Sequence, residues 1–137
     1  MDVDKPIPVA SDPDTAGFFA AATGGRLVVR RCGDCLRYVH LPQQSCTHCG
    51  SWNTSWVEVP PTGRVYSWTV VERQSRAAFP VPYTVVLVEL VAAPEVRLVG
   101  HLPGRPALTV GTPVVADFEH RADTALPRWR VEDATDN

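Results

Sequence analysis

Two identical cysteine pairs constrain this chain more than anything else in it. Residues 31–50 read RCGDCLRYVHLPQQSCTHCG, and the four cysteines there are the only ones in 137 residues. Cys32 and Cys35 form one C-x-x-C turn and Cys46 and Cys49 the other. Each turn can aim two thiolates at one ion, and the excursion between them can fold as a hairpin that sets the turns face to face. Four thiolates suit tetrahedral zinc, and a sphere closed by four cysteines leaves no position for an activated water. The reading is a structural zinc site, with iron in the same all-thiolate geometry left open. Gly33 and Gly50 are expected to supply the positive φ that tight turns demand. A redox dithiol needs one C-x-x-C at a strand-to-helix junction, not two matched turns. His48, inside the second turn, reads as a polar turn residue rather than a ligand.

The rest of the chain reads as mainly β. Ser11 or Asp12 followed by Pro13 predicts the start of a short helix, and Gly24-Gly25 its end. Phe18 and Phe19 fall on that helix and must dock on this chain or on another, because so short a helix is not stable alone. Arg26–Arg31 and Tyr38–Leu41 are expected as strands beside the first turn, and Ser51–Val59 after the second. Pro60-Pro61-Thr62-Gly63 is a break. Valine- and aromatic-rich segments follow at 64–73, 83–91, 96–102, 113–119 and 128–132, and five strands in so short a span fit a small barrel. The residues from Gly104 to Gly111 leave little room for a helix between its third and fourth strands. The predicted organisation is an arm and short helix over 1–25, a metal-binding ribbon over 26–60, a barrel over 61–132 and a disordered tail over 133–137.

The segment YTVVLVELV is apolar on both alternating faces. A barrel wall requires only an apolar inner face, so the ribbon, the helix or a partner should cover the outer one.

Charge and composition limit the function. The formal net charge is −2 and charged residues make up 20%, whereas a nucleic-acid-binding protein is usually basic. The first residues are acidic and broken by prolines, unlike a signal peptide, and no apolar run is long enough to span a bilayer. A cytoplasmic protein with reduced cysteines is the expectation.

Beyond the ribbon, the order of motifs matters: GRLVVRRCGDC, CTHCGS, then GRVYSWTVV, PYTVVLVEL, VRLVGHL and VGTPVVADFE. In this order they resemble the DUF35 family over residues 16–132. That resemblance implies a rubredoxin-like zinc ribbon joined to a five-stranded OB-fold barrel. It also implies a role as a non-catalytic companion of a thiolase-fold, lipid-transfer-protein-like enzyme acting on acyl-CoA thioesters, by retro-aldol cleavage or acyl transfer, as in steroid side-chain degradation. The chain is then expected to be a required subunit of a lyase or transferase complex in lipid metabolism, standing alone without a fused hydratase. One departure is His40-Leu41-Pro42-Gln43-Gln44, where many relatives carry a Phe-Pro-Pro-Arg-like run.

Candidate contacts with coenzyme A or the partner are Arg30, Arg31 and Arg37 around the first turn, Tyr66 and Trp68 on the first barrel strand, Phe79 in the following loop, and Phe18 and Phe19. The arginines can form bidentate bonds with phosphate, meet an acidic partner, or simply be solvated. The barrel-strand aromatics Tyr66, Trp68, Tyr83 and Trp129 can stack on a base from an outer groove or pack in the core. Trp52 and Trp56 are expected to pack the ribbon against the barrel. His40, His101 and His120 stand at no recognisable catalytic spacing. Zinc ribbons and OB folds also occur in single-stranded nucleic-acid modules, the alternative reading.

Overall fold

The computed structural model describes residues 5–132. The tail expected to be disordered, 133–137, lies outside them.

Among the described residues one helix and seven strands follow in order: α1 Ala16–Thr23, β1 Leu27–Cys32, β2 Thr54–Val59, β3 Thr62–Val71, β4 Tyr83–Leu90, β5 Arg97–Pro103, β6 Pro113–Arg121 and β7 Thr124–Val131. No described helix is long and apolar enough to cross a membrane.

The helix begins one turn later than Ser11 or Asp12 predicts. Asp12 instead holds a turn: its carboxylate accepts from the Asp14 N–H at 2.8 Å and its carbonyl from the Ala16 N–H at 2.7 Å. Thr15 is the N-cap residue and makes no side-chain capping bond. The other end is as expected. Gly25 takes φ 75°, and the N–H groups of Gly25 and Arg26 return to Ala22 and Ala21. Ala21 and Ala22 are buried, and Phe18 packs against the main core with Phe19 edge-on to it at 5.3 Å. Gly17 is required by close approach, because a Cβ there would overlap the indole of Trp56 on β2.

β1 and β2 pair antiparallel from Leu27↔Val59 to Cys32↔Thr54. The expected strand at 38–41 reduces to one bridge, Arg31↔Tyr38. The second sheet runs β5-β4-β3-β6-β7, all neighbours antiparallel, with a bulge in β3 at Tyr66. Residues 104–112 contain no helix, as their length requires.

β7 starts at Thr124 rather than 128. It forms a tight hairpin with β6 through Ala122 and Asp123, with Ala122 at φ 55°. Pro127, which argues against a strand interior, sits opposite Phe118. It is tolerated because β7 ends the hydrogen-bonded order, where a missing N–H disturbs no outer neighbour.

The sheet curls into an OB-fold barrel whose ends, β5 and β7, meet through side chains. No ladder joins them among the described residues. At this seam Trp129, 2% exposed, lies against Gly100, where an added Cβ would come within 2.5 Å of the indole. The core gathers Val65, Val86, Val88, Leu90, Leu102, Val114 and Trp129, and it also takes in Leu27, Val29 and Val59 from the ribbon hairpin. The base of the ribbon is thus built into the barrel's core.

Lys5 tethers the N-terminal arm, its Nζ donating to Glu119 at 2.9 Å, while Arg121 donates to the same carboxylate at 3.2 Å and to the Pro6 carbonyl at 2.7 Å. Burial pushes the Glu119 carboxyl up, but its bonds to Lys5 and Arg121 outweigh this and hold it below its ordinary value. A depressed carboxyl stabilises the fold above the unfolded value of 4.5 and loses that contribution as pH falls through the folded value. Glu119→Gln is expected to cost about 1 kcal/mol at neutral pH. The difference from the parent should vanish in urea titrations carried out at progressively lower pH.

Candidate metal centre and exposed barrel face

The end of β1 delivers Cys32 into the first turn, and the second turn precedes β2. The ligand atoms of Cys32, Cys35, Cys46 and Cys49 all lie within 4.8 Å of one another. The Cys32–Cys49 and Cys35–Cys46 sulfurs are each 3.6 Å apart. A tetrahedron with Zn–S bonds of about 2.3 Å has sulfurs about 3.8 Å apart, so the donor set fits zinc in size as well as in chemistry. Cys32 and Cys46 are buried together with Val39.

The backbone prepares these sulfurs for charge. Cys35 and Asp34 N–H groups donate to the Cys32 sulfur at 3.4 Å, and the His48 N–H donates to that of Cys46 at 3.3 Å. The Cys32 thiol is lowered to about 6, chiefly by the Cys35 N–H. Burial pushes Cys46 up, but the N–H groups of Cys49 and His48 take it down. At Cys49 the Ser51 N–H pulls down, yet burial and three adjacent sulfurs outweigh it and push the thiol up to about 12. Four sulfurs this close resist sharing so much negative charge unless a cation sits among them. His48 is turned away from the centre: its Nε2 faces the Tyr38 carbonyl at 3.2 Å and its Nδ1 the Arg37 guanidinium at 3.5 Å.

Positive φ falls on the residue after each pair, Leu36 at 67° and Gly50 at 78°. The expectation for Gly50 holds and that for Gly33 does not. Gly33 is instead crowded by Asn53, whose amide nitrogen would stand 2.7 Å from an added Cβ and whose carbonyl accepts the Gly33 N–H. Asp34 completes this joint, accepting from Ser51 and from Asn53 Nδ2 at 3.1 Å, so the first turn is tied to the segment that joins the second turn to β2. Gly50→Ala is expected to lower ribbon stability by about 1 kcal/mol. Leu36→Gly should stay within about 1 kcal/mol of the parent, because the relief of φ and the added chain entropy oppose each other. Thermal melts of the metal-loaded protein read both.

The three ribbon arginines do not converge. Arg30 and Arg31 are neighbours on a strand and so project to opposite faces. Arg30 lies over Trp56 at 5.2 Å and donates to Thr54. Arg31 lies over Tyr38 at 5.1 Å and donates to the Leu36 carbonyl. Arg37 lines a hollow of about 320 Å³ with Tyr38, His40, His48 and Glu95. Trp56 packs on the helix at Gly17 rather than in the shared core, and Trp52 is 75% exposed, so neither tryptophan joins ribbon to barrel as expected.

The barrel aromatics divide into separate groups. Tyr66 lies under the Arg97 guanidinium, 3.8 Å from ring centre to carbon. Phe79 forms a cluster with Tyr83 at 6.2 Å and His101 at 5.8 Å. Trp68 pairs across the ladder with the buried Val86, yet it keeps 38% exposure and stays outside the core. Arg97 and His101 are not among the contacts expected from the sequence, and Tyr83 is expected only as one of the barrel-strand aromatics. Their signal was the alternation of β4 and β5, which puts them on the outer face with Val85, Leu87 and Val99.

Known proteins match this arrangement along most of the chain. The family model for the ChsH2 rubredoxin-like zinc ribbon domain matches residues 19–53, and that for the ChsH2 C-terminal OB-fold domain matches residues 56–119. A solved structure titled Ltp2-ChsH2(DUF35) aldolase contains a chain that is 38% identical. It superposes with a TM-score of 0.80, covering 90% of this chain and 98% of that one. A DUF35-family protein of unknown function from Sulfolobus solfataricus, 18% identical with a TM-score of 0.61, shares the fold over 88% of this chain and 87% of its own. A probable enoyl-CoA hydratase alpha subunit from Thermomonospora curvata is 40% identical over 124 residues. The match covers 88% of this chain but only 38% of that protein.

Proposed function

Since the chain belongs to the DUF35 family, as a ChsH2-type protein with a zinc ribbon and an OB-fold domain, we propose that it is the accessory subunit of an aldolase assembly. In this reading its partner is a thiolase-fold subunit of the Ltp2 type, which supplies the catalytic groups and cleaves a β-hydroxyacyl-CoA by retro-aldol chemistry. A steroid-derived side chain is the substrate class we favour.

One observation carries the reading: the likeness, at 38% identity and nearly full length on both sides, to a chain of an aldolase complex. The site chemistry agrees with it. The chain's only thiols are the four of the metal centre, where they serve as ligands rather than nucleophiles. Zinc, when bound there, supplies a crosslink with no open position for substrate. The protein's own residues then do the rest: Asp34, Ser51 and Asn53 hold the two turns together, while Leu27, Val29 and Val59 root the ribbon in the barrel. Ribbon and barrel thus share a core, and Val99, 71% exposed, marks an apolar outer side on the barrel.

The test is co-expression with the thiolase-fold subunit of the same source, followed by light scattering on the purified material and an assay for release of the shortened acyl-CoA. A stable complex whose activity depends on this chain is the expected result. A partner that is soluble and fully active without it would refute the reading.

A further inference from the structure

Strand β4 alternates strictly. Thr84, Val86, Val88 and Leu90 are buried, and Tyr83, Val85, Leu87 and Glu89 lie on the outer side. Residues directly opposite each other in an antiparallel ladder share a face. On β5 the outer residues are therefore Arg97, Val99 and His101, opposite Glu89, Leu87 and Val85. A solvated sheet face normally carries polar side chains at such positions. Here its centre is Val85, Leu87 and Val99, and Val99 is 71% exposed. The helix packs chiefly on β7, β1 and β6, and the ribbon loop reaches the Arg97 end, where His40 meets the Arg97 backbone, yet Val99 stays exposed.

We propose that this outer face of β4 and β5 is the surface on which the partner subunit docks, and that the partner presents to it an apolar patch edged with carboxylates. The inference rests on the accessory-subunit reading and adds the place and chemistry of contact.

Two observations identify the occupant. The apolar centre ends in aromatic and arginine side chains: Tyr66 under Arg97 on one side, the Phe79–Tyr83–His101 cluster on the other. Tyrosine, phenylalanine and arginine are all enriched in protein interfaces, and tyrosine and arginine are among the residues that dominate the binding energy. The second is charge. In register across three strands, Glu89 stands between Arg64 on β3 and Arg97 on β5, one carboxylate to two guanidiniums. Arg73 and Arg76, in the loop that carries Phe79, add two more exposed cations. Glu95, in the turn before β5, offsets one of these cations, and Glu72 at the start of the loop pairs with Arg105, so the rim keeps a net positive charge although the chain as a whole is acidic. A second copy of this chain would bring the same positive rim against itself, which like-charge repulsion disfavours. An acidic rim on a different protein complements it.

The experiment measures affinity for the purified thiolase-fold subunit by titration calorimetry, using the full zinc-loaded chain. Val99→Asp places a charge in the centre of the face at a position too exposed to disturb folding. It is expected to weaken binding at least about tenfold. Arg97→Glu should weaken it as well and should flatten its dependence on salt. Val110→Asp is the control, a valine 74% exposed in the loop before β6, and should bind as the parent does. Circular dichroism and zinc content confirm that each variant is folded. Parent-like binding by both Val99→Asp and Arg97→Glu would overturn the docking face while leaving the complex itself intact. Failure of the parent to bind would overturn the accessory-subunit reading and this inference with it. Concentration-dependent dimers abolished by Val99→Asp would assign the face to a second copy. Binding of a labelled thymidine oligonucleotide abolished by Arg97→Glu would assign it to nucleic acid. Either result would overturn the proposal.

Discussion

Chelating the metal, or replacing Cys32 by alanine, is expected to unfold the tip of the ribbon and leave most of the barrel standing. Around the sulfurs the buried residues are Cys32, Val39 and Cys46, with Cys35 packed against them. A single valine is no hydrophobic core, so the ion must hold this region. Structural zinc in small domains contributes about 10–16 kcal/mol of apparent binding energy, which becomes folding energy where no site exists in the unfolded chain. That is as large as the whole stability of an ordinary domain, about 5–15 kcal/mol. The base of the same hairpin has other support, since Leu27, Val29 and Val59 belong to the barrel core. Hydrogen exchange should therefore divide the ribbon. Protection at Val39, Cys46 and Thr54 should be lost on metal removal, while Val29 and the strands from Thr62 to Val131 remain protected. Native exchange at Val39 in demonstrably metal-free protein would refute a structural role for the ion. Because the ligands bind as thiolates, acid should release the metal and produce the same pattern.

Trp129→Ala is expected to be the most damaging single change in the barrel. Trp129 is almost fully buried and stands at the seam where β5 and β7 meet without a ladder. Its ring fills the space that Gly100 leaves open. Truncating a buried tryptophan costs about 3–5 kcal/mol, and here the lost contacts are also those that close the barrel. Urea unfolding should show a correspondingly lower midpoint. Gly100→Val approaches the same joint from the other strand by driving a branched side chain into the indole, and should also destabilise. Trp52→Ala, at a residue 75% exposed, should stay within about 0.5 kcal/mol. Equal losses for Trp52 and Trp129 would mean that the seam is held by something other than this contact.

The metal centre was legible because ligand chemistry and spacing are written in adjacent residues. The β4 strand was legible because alternation is local, and its doubly apolar pattern already asked for a cover on the outer side. Features that depend on distant partners were not legible. Gly33 read as a turn glycine, but its role is set by Asn53 packing on it from just before β2. Positive φ at Leu36 carries no signature in a leucine. Thr124 to Pro127 looked like a loop because proline argues against strands, and only the edge position of β7 removes the objection. The arginines around the first turn looked like one cationic cluster. Strand geometry sends Arg30 and Arg31 to opposite sides, where each lies over its own aromatic ring.

The two halves of the molecule also differ in how far apart their contacts lie along the chain. Every sulfur of the metal centre lies between Cys32 and Cys49, whereas the barrel needs Gly63 beside Val114 and Gly100 beside Trp129. Nearby contacts form quickly, and distant ones wait for loop closure. On a ribosome, both cysteine pairs emerge well before β7 has been made. The ribbon can therefore capture its ion while the barrel is still incomplete, and the supply of metal during synthesis becomes the first checkpoint in the protein's maturation.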